Sequence, residues 1–143
     1  MTIYIGTDHR GFALKEYIKQ YLAGEGHAVH DCGNSVHDED DDYPDFAKAV
    51  AEGVASESDA RGIVLCGSGN GVAITANKVR GIRAAVALTA EQTRMARSDE
   101  DANIIALAAD YTNEEQAREI IEAFLSTPFL DEERHMRRIG KIE

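Results

Sequence analysis

Hydrophobic positions along the chain follow two periods in alternation, and this alternation predicts strands separated by helices. Short apolar runs predict five β-strands, at residues 2–7, 27–31, 62–66, 84–88 and 104–107. Between the runs, apolar residues recur at spacings of three and four, which is helical periodicity. This spacing predicts a helix from Phe12 to Leu22 and a second helix that begins near Pro44.

Polar residues mark where later helices begin. Thr89 with Gln92, and Thr112 with Glu115, have the spacing of a capping box, in which two side chains each accept a backbone N–H. Each pair therefore predicts the start of a helix. Pro128 separates the last long helix from a short charged helix at about 131–143.

Apolar strands that alternate with helices predict an α/β fold with a five-stranded parallel sheet covered on both faces. The length of 143 residues fits a single domain, 1–143. In such folds ligands bind beyond the carboxyl ends of the strands. Two segments with unusual chemistry lie at that edge: residues 7–11 after the first strand and residues 66–71 after the third.

Charge and cysteine content exclude several classes of partner. The chain has 15 Lys and Arg against 26 Asp and Glu, a net charge of −11, which repels nucleic acid and anionic membranes. No apolar stretch is long enough to span a bilayer, and the first residues lack a signal-peptide pattern. Cys32 and Cys66 are expected to be free thiols in a reducing compartment. We therefore expect a cytoplasmic protein.

The segment Cys-Gly-Ser-Gly-Asn-Gly at residues 66–71 carries the strongest chemical signal. Its glycines allow several backbone N–H groups to point inward, and a helix that begins there adds positive potential. Such a field stabilises an oxyanion and favours a thiolate at Cys66, which suits removal of a proton next to a carbonyl. A phosphate-binding loop with an incidental buried cysteine remains the alternative.

Two further groups permit both a structural and a functional interpretation. Asp8 is either a helix N-cap or a carboxylate that binds a sugar hydroxyl and moves protons. His9 is either a surface residue or a cation that faces phosphate. Arg134 and Arg138 are one helical turn apart, so they suit phosphate binding, or they pair with the neighbouring acids at 131–133.

The chain shows no metal-ligand pattern. The acidic run at residues 37–42 lacks the spacing of an EF-hand loop and is predicted to be a solvated loop. No Cys-x-x-Cys or His-x-x-x-His pair offers a zinc site. We expect no metal and no redox cofactor.

Six motifs occur in a fixed order along the chain: Asp-His-x-Gly at 8–11, Asp-Tyr-Pro at 42–44, the segment at 66–71, Ala-Asn-Lys at 76–78, Gly-Ile-Arg at 81–83 and Arg-His-x-x-Arg at 134–138. Together they resemble the type B ribose-5-phosphate isomerases, in the family that includes the galactose-6-phosphate isomerase subunits. The resemblance covers essentially the whole chain.

The resemblance implies a Rossmann-like, three-layer αβα sandwich and a homodimer, or a dimer of dimers, with the active site between subunits. The C-terminal helix would then reach the partner subunit. It also implies a metal-free aldose–ketose isomerase of the pentose phosphate pathway, which interconverts ribose 5-phosphate and ribulose 5-phosphate through a cis-enediolate.

Carried over to matching positions, the resemblance assigns the base to Cys66 and proton transfer between oxygens to Ser68. Some relatives instead use a Glu at the position of Val72 here. The resemblance further implies that Asp8 contacts the sugar. It places the following residues in substrate binding: His9, Tyr43, Gly67, Gly69, Asn70, Gly71, Arg134 and Arg138.

Three acidic residues depart from the family pattern. Asp99 and Glu100 stand where the family often has His-Asn, and Asp99 is expected to take over the acid or base role in opening the sugar ring. Asp110 stands where many members have an arginine that contacts phosphate, which puts an anion near the anion site. These departures leave two alternatives open: an isomerase of another sugar, such as a hexose 6-phosphate or another aldose, and a non-catalytic sugar-phosphate-binding module.

Overall fold

A computed structural model describes residues 1–142. Its strands are β1 (Thr2–Thr7), β2 (Ala28–Asp31), β3 (Arg61–Cys66), β4 (Ala84–Val86) and β5 (Ile104–Ala108). Its α-helices are α1 (Phe12–Gly24), α2 (Tyr43–Ser56), α3 (Asn70–Ala76), α4 (Ala90–Glu100), α5 (Glu114–Ser126) and α6 (Glu133–Ile142). A 3₁₀ turn at His9–Gly11 joins β1 to α1.

All five strands are parallel, in the order β2-β1-β3-β5-β4, which confirms the predicted sheet. Thr7 lies opposite Leu65, and Cys66 lies opposite Ala108. The chain leaves β1 toward one side of the sheet and β3 toward the other side. The carboxyl ends of these two strands therefore form a topological switch point, the place where parallel sheets bind ligands in a crevice.

Helices cover both faces of the sheet, so the three-layer αβα architecture is confirmed. Side chains alternate along β3: Ile63 and Leu65 join the core under α1 and α5, whereas Val64 and Cys66 join the core under α2 and α3. This alternation follows from the pleat of a strand. Because both faces are buried, the strand is apolar throughout, as the sequence pattern indicated.

Predicted boundaries differ from the structure by one or two residues, for example at the end of β4 and the start of α6. β4 stops at Val86 rather than at residue 88, because the Leu88 N–H already donates to Gln92 Oε1 in the cap of α4, at 2.8 Å. The C-terminal helix begins at Glu133, and Glu143 lies outside the described residues.

The cap of α5 is one residue later than predicted. Asn113, not Thr112, is the N-cap: its side chain accepts the Gln116 N–H at 2.8 Å, and Gln116 Oε1 accepts the Asn113 N–H at 2.9 Å. Both pairs have the same spacing, and Asn caps a helix as well as Thr does, so sequence alone does not separate them.

Cys32 and Cys66 are both free thiols, as expected. Over residues 1–142, the helices are too short or too polar for any of them to cross a membrane.

Candidate active site

Cys66 ends β3 at the floor of the crevice, and its side chain is only 5% exposed. The Gly69 N–H donates to Cys66 Sγ at 3.2 Å. Gly69 has φ +77°, a left-handed conformation that disfavours side chains, and a Cβ there would lie 3.2 Å from the Leu107 carbonyl carbon. The turn thus places an N–H donor on the sulfur, which stabilises a negative charge on it.

Ser68, in the middle of the loop from Cys66 to Gly71, is exposed to solvent. Its Oγ accepts the Asn70 N–H at 3.3 Å. Asn70 is the first residue of α3, so a helix does begin within the loop as predicted. A Cβ on Gly71 would lie 2.8 Å from Tyr43 Oη. Tyr43, at the start of α2, therefore reaches the loop, and glycine leaves room for its ring.

Asp8 and Cys66 leave the sheet side by side, since each follows one residue of the opposed pair Thr7 and Leu65. The buried Asp8 carboxylate caps the 3₁₀ turn by accepting the Arg10 N–H at 3.0 Å. Burial also raises the pKa of Asp8. The capping interpretation is therefore correct, and it coexists with a carboxyl group that holds its proton at a higher pH than usual.

Asp41 anchors His9, and sequence reasoning missed it. His9 Nδ1 lies 2.8 Å from Asp41 Oδ1, and the His9 backbone N–H donates to the same oxygen at 2.9 Å. The Asp41 side chain is only 5% exposed, and Asn34 Nδ2 donates to its other oxygen at 3.2 Å. This hydrogen bond raises the pKa of His9, which favours the imidazolium form.

The prediction of a solvated acidic loop is therefore wrong for Asp41, although residues 37–40 and Asp42 are exposed. Five consecutive acidic residues gave no local signal to single out one of them. Asp8, His9 and Asp41 also bring potential metal-ligand atoms within 4.8 Å of one another. The hydrogen bonds to His9 account for this geometry, so we assign the group to orienting and charging the imidazole.

Asp110 follows β5 and lies beside the loop, since its N–H donates to the Gly67 carbonyl at 3.1 Å. Its carboxylate forms an ion pair with Arg10 Nη2. The expected anion beside the loop is therefore present, and its charge is paired with that of Arg10. Sequence reasoning passed over Arg10, which occupies the variable position of the Asp-His-x-Gly motif.

The chain does not bring Asp99, Arg134 or Arg138 to its own Cys66. α4 starts at the carboxyl edge of the sheet and returns to the opposite edge, where β5 begins. Asp99 therefore lies toward the edge opposite to Cys66, next to Glu100, whose carbonyl accepts the Arg83 Nε–H just before β4 begins. At that edge Asp99 accepts the Ser98 Oγ–H at 2.6 Å, close to α6.

The arginines of α6 are exposed in the single chain, whereas His135 on the same helix is buried. Arg134 Nε pairs with Glu132 Oε2 at 2.8 Å, as the structural interpretation of this cluster expected. Arg138 lies one turn further along the same helix. Both guanidinium groups are thus available at the surface.

Comparison with known proteins matches residues 3–142 to the family model described as Ribose/Galactose Isomerase. The chain is 43% identical to ribose-5-phosphate isomerase B of Mycolicibacterium paratuberculosis over 139 residues, 97% of this chain and 87% of that one. Among solved structures, it resembles ribose 5-phosphate isomerase of Thermotoga maritima, with a TM-score of 0.94 and 46% identity over 99% and 96% of the two chains. It also resembles the Mycoplasma genitalium enzyme with bound ribulose-5-phosphate, with a TM-score of 0.95 and 39% identity over 99% and 93%.

Proposed function

Because this chain belongs to the ribose/galactose isomerase family, we propose that it interconverts ribose 5-phosphate and ribulose 5-phosphate. The observation that carries the proposal is the buried Cys66 sulfur, which receives a backbone N–H inside a glycine loop at the carboxyl edge of the sheet. We place the enzyme in pentose phosphate metabolism in the cytoplasm, where its two thiols stay reduced.

The chemistry requires one proton to move between two carbons. The Cys66 thiolate removes the proton from C2 of the open-chain aldose, and the electron pair forms the C1–C2 double bond while the carbonyl oxygen becomes anionic. Backbone N–H groups of the loop stabilise this enediolate. Ser68 transfers a proton between the two oxygens, and Cys66 returns its proton to C1 to give the ketose.

The residues around the loop bind the substrate. Asp8, buried beside the loop, contacts a hydroxyl group of the sugar through its carboxyl group. Tyr43 closes the crevice at Gly71 and contacts the sugar. His9, held as a cation by Asp41, binds the phosphate group.

A second copy of the chain completes the site in this proposal. Asp99 lies at the opposite edge of its own sheet, and Arg134 and Arg138 project from the surface of α6. A two-fold dimer, in which α6 crosses to the crevice of the other subunit, would bring these residues to Cys66. Asp99 would then open the sugar ring, and the two arginines would bind phosphate.

Asp99 and Glu100 favour one second candidate, an isomerase of another phosphorylated sugar. Both add negative charge at the end of α4, where the family pattern has a neutral pair. A panel of pentose and hexose phosphates separates the candidates by kcat/KM: a preference for ribose 5-phosphate excludes the second. The retained cysteine and its N–H donor disfavour a non-catalytic module.

The proposal is tested by NMR of ribose 5-phosphate with the protein in D₂O. We expect ribulose 5-phosphate to appear and solvent deuterium to enter the carbon-bound positions, because the proton on Cys66 exchanges with solvent. Failure to produce either the ketose or deuterium exchange would contradict the proposal.

The pair of His9 and Asp41 predicts the pH dependence of phosphate binding. Asp41 raises the pKa of His9, so the imidazolium persists to a higher pH than in an unpaired histidine. In Asp41→Asn the pKa of His9 should fall, and KM for the sugar phosphate should begin to rise at a lower pH than in the wild type. KM profiles between about pH 6 and 9, with NMR titration of His9, measure this shift.

Asp40→Asn is the matched control, because Asp40 is a neighbouring exposed acid with no contact to His9 in the part of the chain described. Its KM profile should superimpose on that of the wild type. Equal profiles for both variants would exclude Asp41 as the residue that charges His9.

A further inference from the structure

Arg10 is held over the glycine loop. It lies on the 3₁₀ turn next to His9, and its guanidinium fills the space above Gly67. A Cβ on Gly67 would lie 2.6 Å from Arg10 Nε and 2.7 Å from Nη1. Any side chain at Gly67 would therefore displace the guanidinium from the loop.

Asp110 sets the orientation of this guanidinium. The Asp110 backbone is attached to the loop through its N–H bond to the Gly67 carbonyl, and its carboxylate binds Arg10 Nη2. The structure gives Nε and Nη1 no acceptor within residues 1–142. The N–H groups of Nε and Nη1 thus stay available next to Gly67, on different edges of the planar guanidinium.

Stabilisation of the fold does not explain the ion pair between Arg10 and Asp110 well. The Arg10 side chain is 54% exposed, and ion pairs in that environment contribute little to stability. Its location supplies a better explanation. A chain with a net charge of −11 needs local cations to attract an anionic substrate, and Arg10 lies next to His9 and against Gly67.

We propose that Arg10 is a substrate-binding residue whose guanidinium, through N–H donors that Asp110 does not use, binds the phosphate group of the sugar phosphate beside His9, and that Asp110 is the residue that positions it. The inference rests on the proposed function for the identity of the substrate. A guanidinium suits phosphate because it keeps its positive charge and offers N–H donors that phosphate oxygens accept. The cation on this side of the loop is therefore Arg10, in the turn after β1, and Asp110, after β5, orients it.

Arg10→Ala tests the inference through steady-state kinetics and inorganic phosphate as a competitive inhibitor. Phosphate is bound equally in the ground state and the transition state, so the loss should appear in KM and not in kcat. We expect KM for ribose 5-phosphate and Ki for phosphate to rise together by about 10- to 100-fold, with kcat within about threefold of the wild type. Unchanged KM and Ki, or a loss confined to kcat, would overturn the inference.

Two further variants give readouts that a merely structural ion pair would not change. Asp110→Asn leaves Arg10 cationic but loosens its orientation, so KM should rise less than in Arg10→Ala. The double variant Arg10→Ala with Asp110→Arg cannot restore the ion pair, yet it returns a cation to the loop, so Ki for phosphate should recover. A double variant that binds phosphate as weakly as Arg10→Ala would overturn the assignment.

Arg118→Ala is the matched control, since Arg118 is a similarly exposed arginine paired with Glu122 on α5. Its KM and Ki should equal those of the wild type.

Calorimetric titration of the wild type and Arg10→Ala with inorganic phosphate separates this inference from the proposed function. Weaker phosphate binding by Arg10→Ala supports the inference even if the wild type does not isomerise ribose 5-phosphate. Equal affinities, or no measurable binding to the wild type, would overturn it even if the wild type is an active isomerase.

Discussion

Replacing Cys66 with alanine is expected to lower kcat for the isomerisation by about a thousandfold and to abolish deuterium incorporation from D₂O. The reason is that the thiolate alone moves the proton between the two carbons. The side chain lies at the end of β3, receives the Gly69 N–H and borders the crevice. The measurement is kcat in both directions, with NMR of the exchange in the same samples.

The structure offers two controls for this variant. Cys66→Ser keeps a side chain that accepts the Gly69 N–H but replaces the ionisable thiol, so it should be nearly as inactive while unfolding at a temperature close to that of the wild type. Cys32→Ala removes the other thiol, whose pKa is raised by burial and which is therefore protonated at neutral pH. It should retain wild-type kcat. Deuterium exchange by Cys66→Ala at the wild-type rate would exclude Cys66 as the base.

A mixture of two inactive variants is expected to regain activity if the site is shared between subunits. One variant is Cys66→Ala, and the other carries both Arg134→Ala and Arg138→Ala on α6. In a hybrid dimer, one site combines the Cys66→Ala substitution with the substituted arginines, and the other site contains the native cysteine and the native arginines. Random reassociation of equal amounts should therefore restore about a quarter of wild-type activity at subsaturating substrate.

Mixing Cys66→Ala with Cys66→Ser is the control, because every hybrid then lacks the base in both sites and no activity should return. Because both arginines are exposed, the double variant should unfold at the same temperature as the wild type, which thermal unfolding measures. If the first mixture stays at the level of its separate components, each chain uses its own arginines and the proposed dimeric site is wrong.

Local patterns predicted the helices and strands well because the order of apolar and polar residues reflects which side chains are buried. β1 occupies residues 2–7 as predicted, and the apolar run at 62–66 became the central strand β3. The errors lie at the boundaries of elements, and one of them arises because two residues of equal capping ability compete. Asn113 displaced Thr112 in this way at the start of α5.

The contacts of the site were less predictable. His9 and Asp41 are 32 residues apart, and Arg10 and Asp110 are 100 residues apart. An ion pair of this kind depends on how the sheet edge and two loops place the side chains. The periodicity of apolar residues along the chain does not predict that placement. Nothing in the sequence distinguished Asp41 from the other acids of its loop, or indicated that Arg10 pairs with Asp110.

The sequence by itself determined the parallel sheet, the glycine loop after its central strand and the position of Cys66 at the edge that binds ligands, because periodicity and turn chemistry are properties of neighbouring residues. Only the tertiary structure decided which acid charges His9, that Asp110 holds Arg10 over Gly67, and that Asp99 lies at the far edge of its own sheet. The physical reason is that charge pairing acts through space, between segments whose approach is set by the packing of the whole fold.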